Sequence, residues 1–175
     1  MTIKYLELTP GCAPVINENG DAFDLKAAET ITVHRFRAKN KNTENMEPTY
    51  YSPTNTLVKL GIAMKLPKGI VADLKPRSST YKKWYLLQTN SVGLIDSSYC
   101  GNEDEWKIPV IATSTSHIHK GDRICQFELR PSQNAPWYVW LKWIFKRGIK
   151  FEKVDSLTTS GYNRGGFGEG TKHLD

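Results

Sequence analysis

The sequence predicts an all-β protein. Three observations carry this: short apolar, β-branched runs recur along the chain, turn residues separate them, and only one segment has helical periodicity. The runs are TITVHRF, LVKLGIAMKL, IVADL, YLLQT, SVGLI, KIPVIAT, RICQFEL and KFEKVDSL. Their number and spacing suit a sandwich or barrel. Pro67, Lys68 and Gly69 punctuate the second and third runs, and Lys120, Gly121 and Asp122 lead into the run ending at Leu129. The exception is WYVWLKWIFKRGIKF, Trp137 to Phe151, where three tryptophans interleave with basic residues. It reads as an amphipathic helix, an extra hairpin, or a surface contacting another chain or a membrane, with packing of an inserted element as the plainer alternative. Lys39 to Asn55 is polar, carries two prolines and reads as an unusually long loop. From Ser160 onward the tail holds five glycines between Gly161 and Gly170 and is expected to be mobile until something binds it.

A chain of 175 residues fits one domain. Residues 1–160 are expected to form it, with inserts at 39–55 and 137–151, and residues 161–175 to form a Gly-rich arm. The formal charge of +6 suits an anionic partner, yet nucleic acid, a nucleotide and plain solubility all satisfy it. Cys12, Cys100 and Cys125 are odd in number and lack a CxxC pair, which points to free thiols in a reducing compartment. The N-terminus has no signal-peptide run, and no segment approaches the roughly 20 apolar residues that span a bilayer. A soluble, cytoplasmic protein is expected, without membrane or nucleic-acid partners, since no recognised DNA or RNA motif occurs.

The densest chemistry lies between Asn90 and Gly101, NSVGLIDSSYCG. Val92, Leu94 and Ile95 supply strand character, while Asp96, Ser97, Ser98 and Gly101 are turn formers, so the segment reads as one tight β-hairpin with Asp96 at its bend. A carboxylate there suits a general base acting on water. Asn90 carries donor and acceptor on one amide and can pair with the edge of a base, and Tyr99 can pack beneath a sugar ring. In PRSST, Arg77 offers a planar fork and Ser78 and Ser79 offer hydroxyls, a set suited to phosphate oxygens. In NRGGFGEGTK, Arg164 and Phe167 flank Gly165 and Gly166, whose bare backbone amides can approach an anion closely. Each motif alone also reads as an ordinary turn or tail. Asp21 and Asp24 are oxygen ligands suited to Mg²⁺, although such a pair is usually solvated surface, and His117 and His119 have no zinc-ligand spacing and read as structural.

Taken in order, GDAFDLKA, PRSST, NSVGLIDSSYCG, GDRICQFEL and RGGFGEG resemble the five ordered motifs of the homotrimeric dUTPase family. The resemblance implies a jelly-roll-like β-barrel subunit in a trimer, with active sites at subunit interfaces and a C-terminal arm reaching to a neighbour. It implies hydrolysis of dUTP to dUMP and pyrophosphate. In that reading Asp96 orients the attacking water, Asn90 with backbone groups of Gly93 and Ile95 reads uracil, and Tyr99 discriminates the sugar. Arg77, Ser78, Ser79, Lys107, Gln126 and Arg164 contact substrate, Phe167 covers it, and Asp24 touches Mg²⁺ through its water shell.

The chain departs from the family pattern in three places. Ser98 replaces a usual second acid, which alters hairpin contacts. The return NEDEWKIP, Asn102 to Pro109, is longer and more acidic than the common form and brings Trp106 as a second candidate for the ring that covers uracil. Glu169 and Gly170 replace a usual Ser-Thr after Phe167. Long variants of this kind resemble bacterial and phage members. Two rivals are a dCTP deaminase of the same superfamily, disfavoured because KIPVIAT carries no Glu, and a regulatory protein that binds a host partner through the inserts, a role compatible with hydrolysis.

Overall fold

A computed structural model describes residues 1–17, 20–35, 56–158, 161 and 163–166. In chain order the elements are β1 (Thr2–Glu7), β2 (Val15–Ile16), β3 (Phe23–Lys26), β4 (Ile31–Val33), β5 (Thr56–Lys59), β6 (Ile62–Lys65), β7 (Ile70–Pro76), α1 (Thr80–Trp84), β8 (Leu86–Gln88), β9 (Gly93–Ile95), β10 (Lys107–Ala112), β11 (Ser116–Ile118), β12 (Arg123–Pro131), α2 (Trp137–Ile144) and β13 (Lys150–Lys153). The expected all-β class holds. Every predicted run contains a strand, and LVKLGIAMKL divides into β5 and β6 at Gly61, whose φ of 67° reverses the chain. The loop expected at Lys39–Asn55 lies outside the described residues.

β12 is the spine of the site-bearing sheet, which runs β2-β3-β12-β7-β9. Its alternating burial puts Cys125, Phe127 and Leu129 inside. Two three-stranded sheets, β13-β1-β6 and β5-β10-β8, and the pair β11-β4 make up the remaining β structure among the described residues. Between them lies a core of Ile3, Leu25, Leu60, Ile62, Met64, Leu74, Ile108 and Phe127, all with side chains essentially out of water. Burying each is worth about 1.5–3 kcal/mol.

Trp106 belongs to this core. It is 0% exposed and meets Phe127 edge-on at 5.2 Å between ring centroids. A ring with no accessible surface covers no ligand, so Trp106 is not a lid, which corrects the sequence reading. His117 is structural as expected, its Nδ1 2.9 Å from the Thr32 hydroxyl across β11 and β4. The aromatic insert takes the helical one of its three readings, as α2.

Candidate active site

The sequence-predicted residues fall into two clusters on the five-stranded sheet. The first gathers where β3, β12 and β7 run side by side, with Gln126 opposite Asp24 on one flank and Lys75 on the other. Asp24 is fully buried, with Arg77 Nε 2.9 Å from its Oδ1 and Arg123 Nη1 3.3 Å from its Oδ2. The Arg77 contact is off the hydrogen-bond axis, leaving Oδ1 without an aligned donor. A buried carboxylate is costly unless paired, so two guanidinium groups here are a structural requirement.

Asp24 has no water-facing oxygen; it aims Arg77 instead. Among the described residues no group of three or more His, Cys, Asp and Glu side chains is gathered to hold a metal ion. The donor set therefore does not fit a protein-ligated Mg²⁺.

Arg77 is further fixed by its neighbours. The buried Thr80 hydroxyl accepts from its backbone N–H at 2.9 Å and donates to Ile124 O at 2.7 Å, tying the PRSST turn to β12. The Arg77 Nη1 donates to Arg123 O at 3.2 Å. Ser79 precedes α1, and the Ser78 and Ser79 hydroxyls make no hydrogen bond among the described residues. Gln126 Nε2 reaches Pro76 O at 3.4 Å.

The second cluster is built on β9. The expected tight hairpin is half present: β9 is a strand, but it pairs with β7, and residues 96–106 return as a folded loop rather than a partner strand. The loop is shaped by its own side chains. Ser98 donates its backbone N–H at 2.8 Å and its hydroxyl at 2.5 Å to Asp96 Oδ1. The departure from the family pattern thus grips the candidate base. Tyr99 is nearly buried, and its hydroxyl donates to Glu105 O at 2.9 Å. Asn90 accepts from Gln88 Nε2 at 2.7 Å, and the same amide reaches Leu74 O at 3.1 Å, which fixes the Asn90 side chain against β7. Gly93 leaves room at this spot: an added Cβ would lie 3.3 Å from Leu74 Cβ.

The acidic return docks the start of the arm. Asn102 Oδ1 accepts from Leu157 N at 2.8 Å, and Glu103 exchanges two hydrogen bonds of 2.9 Å with Asn163. The buried Asp104 carboxylate accepts from Gly101 N at 2.7 Å, Arg164 N at 3.1 Å and Gly165 N at 3.0 Å. Arg164 Nη1 then lies 3.1 Å from both oxygens of Asp96. Gly166 passes so close to Tyr99 that an added Cβ would sit 3.1 Å from its ring. Within the single chain, residues 163–166 dock on the chain's own loop. Phe167, Glu169 and Gly170 lie outside the described residues.

Burial raises the pKa of Asp96, but the two Ser98 hydrogen bonds and the Arg164 charge outweigh it, and the net shift is downward. The carboxylate is ionised at neutral pH. Burial pushes the thiol pKa values of Cys12 and Cys125 upward and so disfavours their thiolate forms.

Sequence reasoning missed Asp104, Gln88 and Thr80. Asp104 was visible only as part of an acidic run; its partners lie 60 and 61 residues downstream.

The two clusters do not meet within one chain. Antiparallel pairing puts Ile95 opposite Ala72, so Asp96 lies beyond the Ala72 end of the pairing while Arg77 follows the opposite end of β7. At about 3.3 Å per residue the two backbone positions stand about 20 Å apart along the strand.

The dUTPase family model matches residues 12–137. The SPbeta prophage-derived deoxyuridine 5'-triphosphate nucleotidohydrolase of Bacillus subtilis is 41% identical over 133 residues, 76% of this chain and 81% of that protein. The deoxyuridine 5'-triphosphate nucleotidohydrolase of Finegoldia magna is 34% identical, covering 75% of this chain and 79% of its own. Among solved structures, the dUTPase from phage phi11 of S. aureus aligns with a TM-score of 0.60 at 18% identity, over 78% of this chain and 94% of that one. The dUTPase of Streptococcus mutans aligns at 0.58 and 22%, over 75% and 95%. With the ordered motifs, the sheet that presents them and these matches in agreement, the chain belongs to the dUTPase family.

Proposed function

We propose that Asp96 is the general base of a dUTP diphosphatase whose active site is completed by a second copy of the chain. The enzyme hydrolyses dUTP, as family membership establishes. The observation that supports a shared site is the separation of Asp96 from Arg77: a triphosphate on one cluster of a single chain does not touch the other. A trimer with interface sites brings them together.

In this reading uracil pairs with Asn90, held by Gln88, and with the backbone of Gly93 and Ile95, while Tyr99 lies under the deoxyribose. Asp96, already ionised, accepts a proton from water as the water oxygen bonds to the α-phosphorus and the bond to the bridging oxygen breaks, giving dUMP and pyrophosphate. Arg77, Ser78, Ser79, Lys107 and Gln126 take phosphate oxygens, and Arg164, resting on Asp96, supplies positive charge beside the reacting phosphorus. Residues 161–175 form the arm, with Phe167 closing over the base and excluding water.

Members of the family use a divalent metal. Mg²⁺ carried by the triphosphate would neutralise part of its charge. The three free thiols support a reducing, cytoplasmic setting. No helix among the described residues is long and apolar enough to cross a membrane. The exposed aromatics of α2 support a protein contact through this insert alongside hydrolysis.

Asp96→Asn tests the base. The variant is expected to bind dUTP with near wild-type affinity and to lose most pyrophosphate release; near wild-type turnover would remove Asp96 from the role.

A further inference from the structure

The helix α2 carries two apolar stripes. Val139 and Trp143 lie on the side packed against the body, whereas Trp137, Trp140, Leu141 and Ile144 repeat the same spacing on the exposed side. Beside the packed stripe lies a cavity of about 500 Å³ between α2 and the turn joining β6 to β7. Its apolar surface comes from Met1, Pro67, Ile70, Tyr138, Val139 and Trp143. Every charged side chain lining it is a lysine: Lys68, Lys142 and Lys146.

None of these lysines has a carboxylate partner among the described residues. Lys146 Nζ sits 3.8 Å from the centre of the Trp143 ring and Lys142 Nζ 5.7 Å from that of Tyr138, so their charges are held at the aromatic walls rather than spent on an acid. The volume falls within the range of roughly 300–1,000 Å³ typical of small-molecule sites, and an apolar lining with a few polar groups is their usual make-up. The family match ends at Trp137, the first residue of α2, so the helix's share of this lining lies outside the segment that defines the family.

We propose that this cavity binds a small amphipathic anion, separately from dUTP. An aliphatic or aromatic body seats against Ile70, Tyr138, Val139 and Trp143, and a single carboxylate, sulfonate or phosphate head meets the three lysines. Apolar burial supplies the affinity, and the one-signed charge supplies selectivity for anions over neutral molecules of the same shape.

The test uses the fluorescent anion 8-anilinonaphthalene-1-sulfonate with the intact enzyme. Saturable binding of one probe per chain is expected, displaced by decanoate and not by decanol at equal concentration. Lys142→Glu combined with Lys146→Glu weakens binding by at least about tenfold and leaves dUTP hydrolysis unchanged. Trp137→Ser with Trp140→Ser, on the exposed stripe, leaves binding intact. Phosphatidylglycerol vesicles identify the source of the head: co-sedimentation that needs both lysines and competes with decanoate indicates a lipid, and decanoate binding without co-sedimentation indicates a free anion. Displacement by decanol as strong as by decanoate, displacement by pyrophosphate, or binding that depends on Trp137 and Trp140 rather than the lysines would overturn the proposal. So would the absence of saturable probe binding in an enzyme that hydrolyses dUTP normally.

Discussion

Asp104→Asn isolates the docking of the arm from the chemistry it covers. The Asp104 carboxylate accepts three backbone N–H groups, one from the loop and two from the arm at Arg164 and Gly165. An amide of the same shape keeps one acceptor oxygen and turns its NH₂ toward donors. Arg164 N and Gly165 N are held by different oxygens of Asp104, so in either orientation of the amide one arm bond is lost. Hydrogen bonds to a charged group contribute about 1.5–3 kcal/mol each, and the loss costs about 1.5 kcal/mol at the lower end. That corresponds to a shift of about tenfold in the docking equilibrium. If closure limits catalysis, kcat/KM for dUTP falls by up to the same factor. The assay is pyrophosphate release by four proteins: wild type, Asp104→Asn, a chain ending at Ser160, and the combination. Removing the arm should make Asp104→Asn nearly silent, within about threefold, because the partners it held are gone. An undiminished loss in the truncated background would refute the docking role and assign Asp104 to the loop alone.

Two further outcomes follow from the same geometry. Ser98→Ala removes the hydroxyl bond that lowers the Asp96 pKa; the pKa then rises, and the acid limb of kcat/KM moves to higher pH with little change at neutral pH. An unmoved limb would mean that Ser98 does not tune the base. Trp106→Ala, emptying a fully buried site, should cost about 3–5 kcal/mol in urea unfolding while KM for dUTP holds in the folded variant. A raised KM without loss of stability would restore Trp106 to the uracil lid.

The strands were legible where hydrophobic pattern and burial coincide. RICQFEL reads as a strand and becomes β12 because its inward positions are apolar. β3 was missed for the opposite reason: Asp24 and Leu25 are both buried, and a buried carboxylate looks like surface until its two arginines are placed beside it. β1 has an alternating pattern at Ile3 and Tyr5, but Lys4 and Glu7 dilute its apolar character. The five-residue α1 is too short for a helical period to show.

The site was legible as a roster of residues and not as a geometry. Asp96, Tyr99 and Arg164 come together in the chain as their motifs suggest, and so do Asp24, Arg77 and Gln126. What no motif carries is the division between these groups, which depends on the register of β7 against β9. Ser98 and the acidic return read as departures from a pattern, and contacts many residues away turn them into the grip on Asp96 and the dock for the arm.

The most direct test of a site shared between copies is complementation. Asp96→Asn and Arg77→Ala chains, each inactive alone and each folded by its melting curve, are co-expressed in equal amounts and assayed for pyrophosphate release from dUTP. If Asp96 and Arg77 of one site come from different copies, random assembly restores about one quarter of the sites to full composition, and activity returns to about that share of wild type. Mixed assemblies with no more activity than the separate variants would place both residues in one chain's site and contradict the account.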